Sequence, residues 1–369
     1  MTKEQVKPSL DHIQRLTDDT GLFQHAKFTI PLRSEGYATD DNARALIVAT
    51  RYYALNHDEE SLRLLDKYLE FILHSHHDDD AVRNLMNFDR TWMANEPAHD
   101  AFGRVIWAFG ELLAQPPSEI YVPLAKERID TAMPHIEKQY LRGMASSIMG
   151  LAGYLKRFPD ANHVRECMRT IAEAIVQRYE ENKQTDWPWF EDILTYDNAI
   201  IPCALFTAAI TLNESKFLNV ARQTCDFLLT NTFTADNTES PQVYPGGSNP
   251  QHKVGGLPVR GHFSFVGCLG WFPREGTKAQ FDQQPIEAAG TILMLNAAYQ
   301  ATKNEKYLSL RQKAFNWFLG ENDLGVPLYD FKTKGCSDGL GKEGVSLNQG
   351  AESTLSFLLG LLTMCEGCR

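Results

Sequence analysis

Ala288-Ala289-Gly290-Thr291-Ile292-Leu293-Met294-Leu295-Asn296-Ala297-Ala298-Tyr299 and Ser147-Ile148-Met149-Gly150-Leu151-Ala152-Gly153-Tyr154-Leu155 are small and apolar on every side. A helix of that composition has no wet face, so it belongs where neighbours surround it. Ser61-Leu62-Arg63-Leu64-Leu65-Asp66-Lys67-Tyr68-Leu69-Glu70-Phe71-Ile72 instead alternates charge with apolar residues at helical spacing. It buries one stripe and wets the other, which places it outside.

The two kinds of helix alternate along the chain. Amphipathic segments at about 8–19, 59–77, 118–139, 161–181, 214–232 and 304–320 are each followed by a loop. The more apolar partners follow at about 40–55, 98–115, 142–157, 196–212, 281–302 and 349–364. No β pattern competes, and Pro/Gly-rich stretches fall between helices rather than dividing the chain. The expectation is one all-α domain over residues 1–369, an (α/α)6 toroid of six helical hairpins with inner and outer rings. Such a ring needs no capping repeats, because its first and last hairpins cover each other. A chain of 369 residues with 43% apolar residues can bury roughly 75% of its surface. Residues 233–280 stand apart as a long loop rich in Gly, Pro and aromatics, among them Tyr244, Phe263, Phe265, Trp271 and Phe272. That richness argues against disorder and for a lid over a pocket.

Composition excludes several classes. A net charge of −11 argues against nucleic acid, whose phosphates demand clustered Lys and Arg. Met1-Thr2-Lys3-Glu4-Gln5-Val6-Lys7-Pro8 has no signal-peptide character, and no stretch approaches the ~20 apolar residues that span a bilayer. Seven scattered cysteines, an odd number, suit a reduced compartment. A cytoplasmic chain is therefore expected. Cys365-Glu366-Gly367-Cys368 lacks a second ligand pair and reads as a frayed tail, so neither metal nor other cofactor is expected.

The inner helices open with polar clusters: Asp40-Asp41-Asn42-Ala43-Arg44, His99-Asp100-Ala101-Phe102-Gly103-Arg104, Arg142-Gly143-Met144-Ala145-Ser146, Tyr196-Asp197-Asn198-Ala199, Gln283-Gln284-Pro285-Ile286-Glu287 and Asn348-Gln349-Gly350-Ala351-Glu352. A ring puts all of these starts at one end, which predicts a single polar pocket. Carboxylates there sit near helix N-termini and are stabilised as anions. Any one Asp or Asn at a helix start is commonly an N-cap. Asp40 and Asp41 in tandem, Glu191 and Asp192 upstream of Asp197, and Glu287 and Glu352 a turn inside their helices exceed what capping needs. Trp92, Trp187, Trp189, Trp271, Tyr37, Phe190 and Tyr244 gather in the turns. Hinge packing explains some of them. Flat amphipathic rings beside carboxylates and amides also form a platform for sugars, so the two sets together indicate carbohydrate.

Leu16-Thr17-Asp18-Asp19-Thr20-Gly21-Leu22-Phe23-Gln24-His25-Ala26, Gly36-Tyr37 through Asp40-Asp41-Asn42-Ala43-Arg44-Ala45-Leu46, Trp189-Phe190-Glu191-Asp192 with Leu194-Thr195-Tyr196-Asp197-Asn198-Ala199, Asp282-Gln283-Gln284-Pro285-Ile286-Glu287-Ala288 and Asn348-Gln349-Gly350-Ala351-Glu352-Ser353-Thr354-Leu355 resemble a helical family in the six-hairpin glycosidase-like group. Its members occur alone or fused behind glycosyltransferase domains, which implies a functional association with a glycosyltransferase. The resemblance is specific as to family and weak as to reaction. Ala38 stands where the family pattern implies Cys, and Ile200 where the Asp-Asn-Ala-Arg pattern of the first repeat would put Arg. Rings of this kind resemble inverting enzymes most.

Glycoside cleavage needs one group to protonate the leaving oxygen and another to activate water or attack carbon; separations of about 6.5–9.5 Å give inversion and about 5–5.5 Å retention. On this reading the chain is a glycoside hydrolase acting on an oligosaccharide or glycoside, with Glu191 as general acid and Asp41 as general base. Asp197, Glu287 and Glu352 shape and charge the site; Arg44, Arg104, Asn42, Asn198, Gln284 and Asn348 bind hydroxyls; Tyr37, Asp40, Asp100, Trp189 and Asp192 complete it. Two alternatives stay open. A sugar 2-epimerase or isomerase abstracts a proton with histidine, for which His25, His99, His252 and His262 are available. A non-catalytic glycan-binding partner of a glycosyltransferase would use the aromatics and not the acids. Metal-dependent diphosphate chemistry is disfavoured: His77-Asp78-Asp79-Asp80 reads as a solvated charge run, and Asp40-Asp41 has no third acid a turn later. Gly246-Gly247 and Gly255-Gly256 lack the Lys-Ser/Thr of a phosphate-cradling loop.

Overall fold

The structure, a computed structural model, describes residues 6–76, 82–93, 98–235 and 261–366. His77–Asp80, Tyr244, His252, Cys368 and both glycine pairs of the long loop lie outside the described residues. The helices are α1 (Asp11–Leu16), α2 (Thr39–Asn56), α3 (Glu59–Ser75), α4 (His99–Ala114), α5 (Val122–Ile136), α6 (Leu141–Arg157), α7 (Asn162–Asn182), α8 (Ile200–Leu212), α9 (Ser215–Thr232), α10 (Pro285–Thr302), α11 (Lys306–Phe318) and α12 (Ala351–Glu366).

Helices α2, α4, α6, α8, α10 and α12 form the inner ring, each packed on the next, with α12 closing on α2. The chain is an (α/α)6 toroid. As expected, α8 and α10 are buried nearly all round, whereas α3 hides only one face behind Leu64, Leu65, Tyr68, Leu69 and Ile72. Among the described residues no helix is long and apolar enough to cross a membrane.

The pairing of helices differs from the sequence reading. Each inner helix from α2 to α10 packs more closely on the outer helix that follows it than on the one before. Tight turns make this possible: α2, α8 and α10 end at His57, Asn213 and Lys303 in the left-handed conformation, which reverses the chain within a few residues. The tight turns collect at one end of the ring. The long connections therefore collect at the other, beside every inner-helix start.

Short two-stranded ribbons brace those connections. Tyr37–Ala38 pairs with Leu85–Met86, Ile193–Leu194 with Phe272–Pro273, and Phe233–Ala235 with Gly261–Phe263. The last ribbon joins the two flanks of the long loop, and Phe263 and Phe265 sink into the core. Helices α4 and α6 approach most intimately. A Cβ added at Gly110 would overlap the Gly150 carbonyl oxygen, and one at Gly103 that of Gly143. Gly110→Val is expected to destabilise the fold by about 3 kcal/mol, read as a lower urea midpoint; an unchanged midpoint would show that the two helices can separate without cost.

Candidate functional site

The polar inner-helix starts meet in one charged network. Arg44 on α2 donates to Asp41 Oδ1 at 2.8 Å and Asp40 Oδ2 at 3.3 Å through Nη1, and to Glu352 Oε2 of α12 at 2.8 Å through Nη2. Arg104 on α4 reaches back to Asp40 Oδ2 at 3.3 Å and across to Asp197 Oδ2, just before α8, at 3.2 Å. Arg142 on α6 donates from Nε to the Tyr196 carbonyl at 2.6 Å and grips Glu191 at 3.1 and 3.0 Å through its two terminal nitrogens. Its guanidinium also lies 4.6 Å from the Tyr196 ring centroid. Asn198 donates to Glu287 Oε2 on α10 at 3.0 Å. Each of the six inner helices, or the residues leading into it, contributes a member.

These acids are not spent on capping, since α2, α4, α6, α8 and α10 have no side-chain cap. Arg44, Arg104, Asp41, Asp197 and Glu287 are all buried. Desolvation decides their charge. It pushes Asp41 well above the ordinary carboxylate range, reinforced by Asp40 and Glu352 against the pull of Arg44 and Arg104. Burial likewise raises Asp197 over three nearby arginines. It pushes Glu287 up to about 8, and Glu287 Oε1 has no hydrogen-bond partner. The expectation that the helix starts stabilise these acids as anions is thus corrected in direction for Asp41, Asp197 and Glu287, whose burial works against the charged form. A macrodipole contributes about 0.3–1 kcal/mol at an exposed helix end, which burial of a carboxylate outweighs.

Asp40, Asp41 and Glu352 bring oxygens within 4.8 Å of one another, the spacing of a cation site. Arg44 already donates to all three, so the chain supplies the positive charge itself.

Around the network lie two grooves. One, of about 510 Å³, is lined by Asp100, Tyr140, Arg142, Glu191, Thr195 and Tyr196. Tyr196 donates to Asp100 Oδ2 at 2.6 Å, is partly exposed, and has the Trp271 ring 6.4 Å away. The other, of about 570 Å³, is lined by Gln284, Asp282, Asp338, Cys268 and Lys342 among others, beside the starts of α10 and α12.

Several expected site residues have other work. Trp189 is completely buried, its ring edge-on to Phe190 at 5.1 Å, and Trp187 packs on Phe227 and Phe272. Hinge packing is their role, and Trp189 cannot touch a ligand. Tyr37 is buried against Phe23 and donates to Asp18 Oδ2 at 2.7 Å. Asn42 is buried, its amide bonded to both backbone groups of Leu22 and to the Ala38 carbonyl. Asn198 pins Thr195, accepting from its N–H at 3.0 Å and donating to its carbonyl at 2.7 Å. Neither Asn42 nor Asn198 is free to bind hydroxyls. Asn348 accepts from the Phe28 N–H at 2.9 Å. Asp192 points outward, 76% exposed, and pairs with Arg274 at 2.5 Å.

Arg142 and Tyr196 are the site residues that the sequence reading left out of the site. Both stand in the quoted inner-helix starts, so the signal was the recurrence itself. The described histidines serve elsewhere: His99 meets Gln139 at 3.0 Å and stacks on Tyr140, His262 meets Asp323 at 3.0 Å, and His25 is exposed. A further histidine, His12, is buried and contacts the Gln349 carbonyl at 2.8 Å.

No protein-family model and no curated protein matches the chain. Solved structures do match. A D-mannose isomerase superposes with a TM-score of 0.68 at 11% identity, over 97% of this chain and 95% of that one. A cellobiose 2-epimerase from Bacillus thermoamylovorans B4167 gives 0.66 at 10% identity, covering 95% of each chain. An α-mannanase of glycoside hydrolase family 76 from Bacteroides thetaiotaomicron gives 0.66 at 12% identity, over 97% of this chain and 94% of that one. All share the six-hairpin (α/α)6 toroid.

The charge state of Glu287 has a measurable consequence. Between its ordinary value of 4.5 and about 8, the folded chain holds a proton that the unfolded chain has released. Its contribution is full below pH 4.5 and is lost as pH rises towards 8. Glu287→Gln should remove up to about 1.4 kcal/mol per pH unit of that decline, measured by urea unfolding across this range. An identical slope in wild type and variant would mean that Glu287 ionises as it does in water.

Proposed function

Because the chain carries the toroid of these sugar-processing enzymes, we propose that it is a carbohydrate-active enzyme that cleaves a glycosidic bond with paired carboxylates. The observation that carries this reading is the network itself. Six acids and three guanidinium groups converge at one mouth, and among the described residues no histidine is joined to them. Acids poised between protonated and charged forms suit acid–base cleavage better than histidine-driven epimerisation.

The pair remains Asp41 and Glu191, with the roles exchanged from the sequence reading. Burial keeps a proton on Asp41, which suits the donor to the leaving oxygen. Both oxygens of Glu191 accept from Arg142, each keeps a second lone pair, and the side chain is partly exposed on the groove, which suits the group that takes and carries a proton from attacking water. As the bond between the anomeric carbon and the leaving oxygen breaks, Asp41 loses its proton to that oxygen, and the carbon gains the water oxygen. Arg44 holds Asp41 in place and, with Arg104, balances the charge it acquires, while Asp40 and Asp197 fix the two arginines. Asp100, Gln284 and Glu352 are the hydroxyl-binding groups, and Tyr196 with Trp271 is the stacking surface. The resemblance to inverting enzymes favours inversion.

The test is incubation with mannosides, glucosides and galactosides, with and without phosphate. Wild type should release sugar, and Asp41→Asn and Glu191→Gln should each lower the rate by about 10²-fold or more. Cleavage undiminished in both variants overturns the assignment. Interconversion without cleavage would establish an epimerase instead, and binding without turnover a glycan-binding partner of a glycosyltransferase.

A further inference from the structure

The opposite mouth of the toroid, where the inner helices end, holds a second cavity of about 320 Å³ lined by all six of them. Its floor is a buried ion pair: Arg51 of α2 donates from Nη2 to Glu111 Oε2 of α4 at 2.8 Å. Nη1 reaches Thr363 of α12 at 3.3 Å. A further donor of the same guanidinium, Arg51 Nε, is buried without a hydrogen-bond partner. The Glu366 carboxylate stands 3.7 Å from it, too far for a hydrogen bond, and is 41% exposed.

One group fits that gap best. A hydroxyl accepts from Nε–H with its oxygen and donates its proton to Glu366, as neither an anion nor an ammonium does. The charged residues lining the cavity, Arg51 and Lys156 against Glu111 and Glu366, cancel, so they select for no net charge. Helix C-termini add carbonyl acceptors and disfavour anions. Trp107, Leu293 and Ala297 give an apolar wall, while Asn296 and Thr207 give polar points. The volume lies at the small end of ligand sites, which span about 300–1,000 Å³. It has room for one ring.

We propose that this cavity binds a neutral monosaccharide, at a site separate from the carboxylate network at the other mouth. The proposal does not depend on the cleavage chemistry assigned there.

Titration calorimetry of the full chain with D-glucose, D-mannose and D-galactose, and with D-glucuronate as the charged counterpart, tests it. At least one neutral hexose should bind wild type and Asp41→Asn alike. Ala152→Trp, which crowds the cavity wall, should weaken that binding by about tenfold or more; Glu366→Gln, at a half-exposed position that leaves the fold intact, by about tenfold. Thermal unfolding checks that Ala152→Trp is folded, and Glu366→Gln carries the test if it is not. No binding by any hexose, as for a cavity that holds water alone, overturns the proposal. So does preference for glucuronate, or binding that Asp41→Asn abolishes and these two variants leave unchanged.

Discussion

The gathering of more acid than base at the inner-helix starts, half of the acids buried, is the constraint on which the rest depends. Arg44, Arg104 and Arg142 are shared among Asp40, Asp41, Asp197, Glu191 and Glu352, with Glu287 one hydrogen bond away. Three guanidinium groups cannot neutralise six acids, and desolvation penalises the charge on the three that are buried. Burial accordingly shifts Asp41, Asp197 and Glu287 upward, Glu287 to about 8. Each arginine bridges elements far apart in sequence, so the network is complete only when the ring is closed.

Topology separates stability from chemistry. Short turns, left-handed after α2, α8 and α10, return inner helices to their outer neighbours at one end, where little chain is left over. At the other end the long connections carry the ribbons, Tyr196, Trp271 and both grooves. Between the ends the α4–α6 glycines let backbones touch, which fixes the spacing of Arg104 and Arg142.

Much of the charged network was readable from recurrence. Asp40-Asp41-Asn42-Ala43-Arg44 and Asp100-Ala101-Phe102-Gly103-Arg104 repeat an acid–arginine spacing of a helical turn, and Arg104 of the second motif pairs with Asp40 of the first across the ring. Identity alone could not separate ligand-facing from structural amides. Asn42 and Asn198 sit in the same motifs as the acids, yet their hydrogen-bonding groups are consumed by backbone, that of Leu22 and Ala38 for Asn42 and that of the adjacent Thr195 for Asn198. Trp189 is two residues from Glu191 and lies wholly inside, because the turn carrying both faces the core on one side and the mouth on the other.

Composition and spacing by themselves determined the class of fold: helices with no wet face must lie inside helices with one, and six such pairs close a ring. They also determined which starts would share a mouth. The tertiary structure alone decided which outer helix each inner helix packs on, which arginine serves which acid, and which acid keeps its proton. Those outcomes depend on distances between segments remote in sequence and on the water excluded when they meet, and a linear string encodes neither directly.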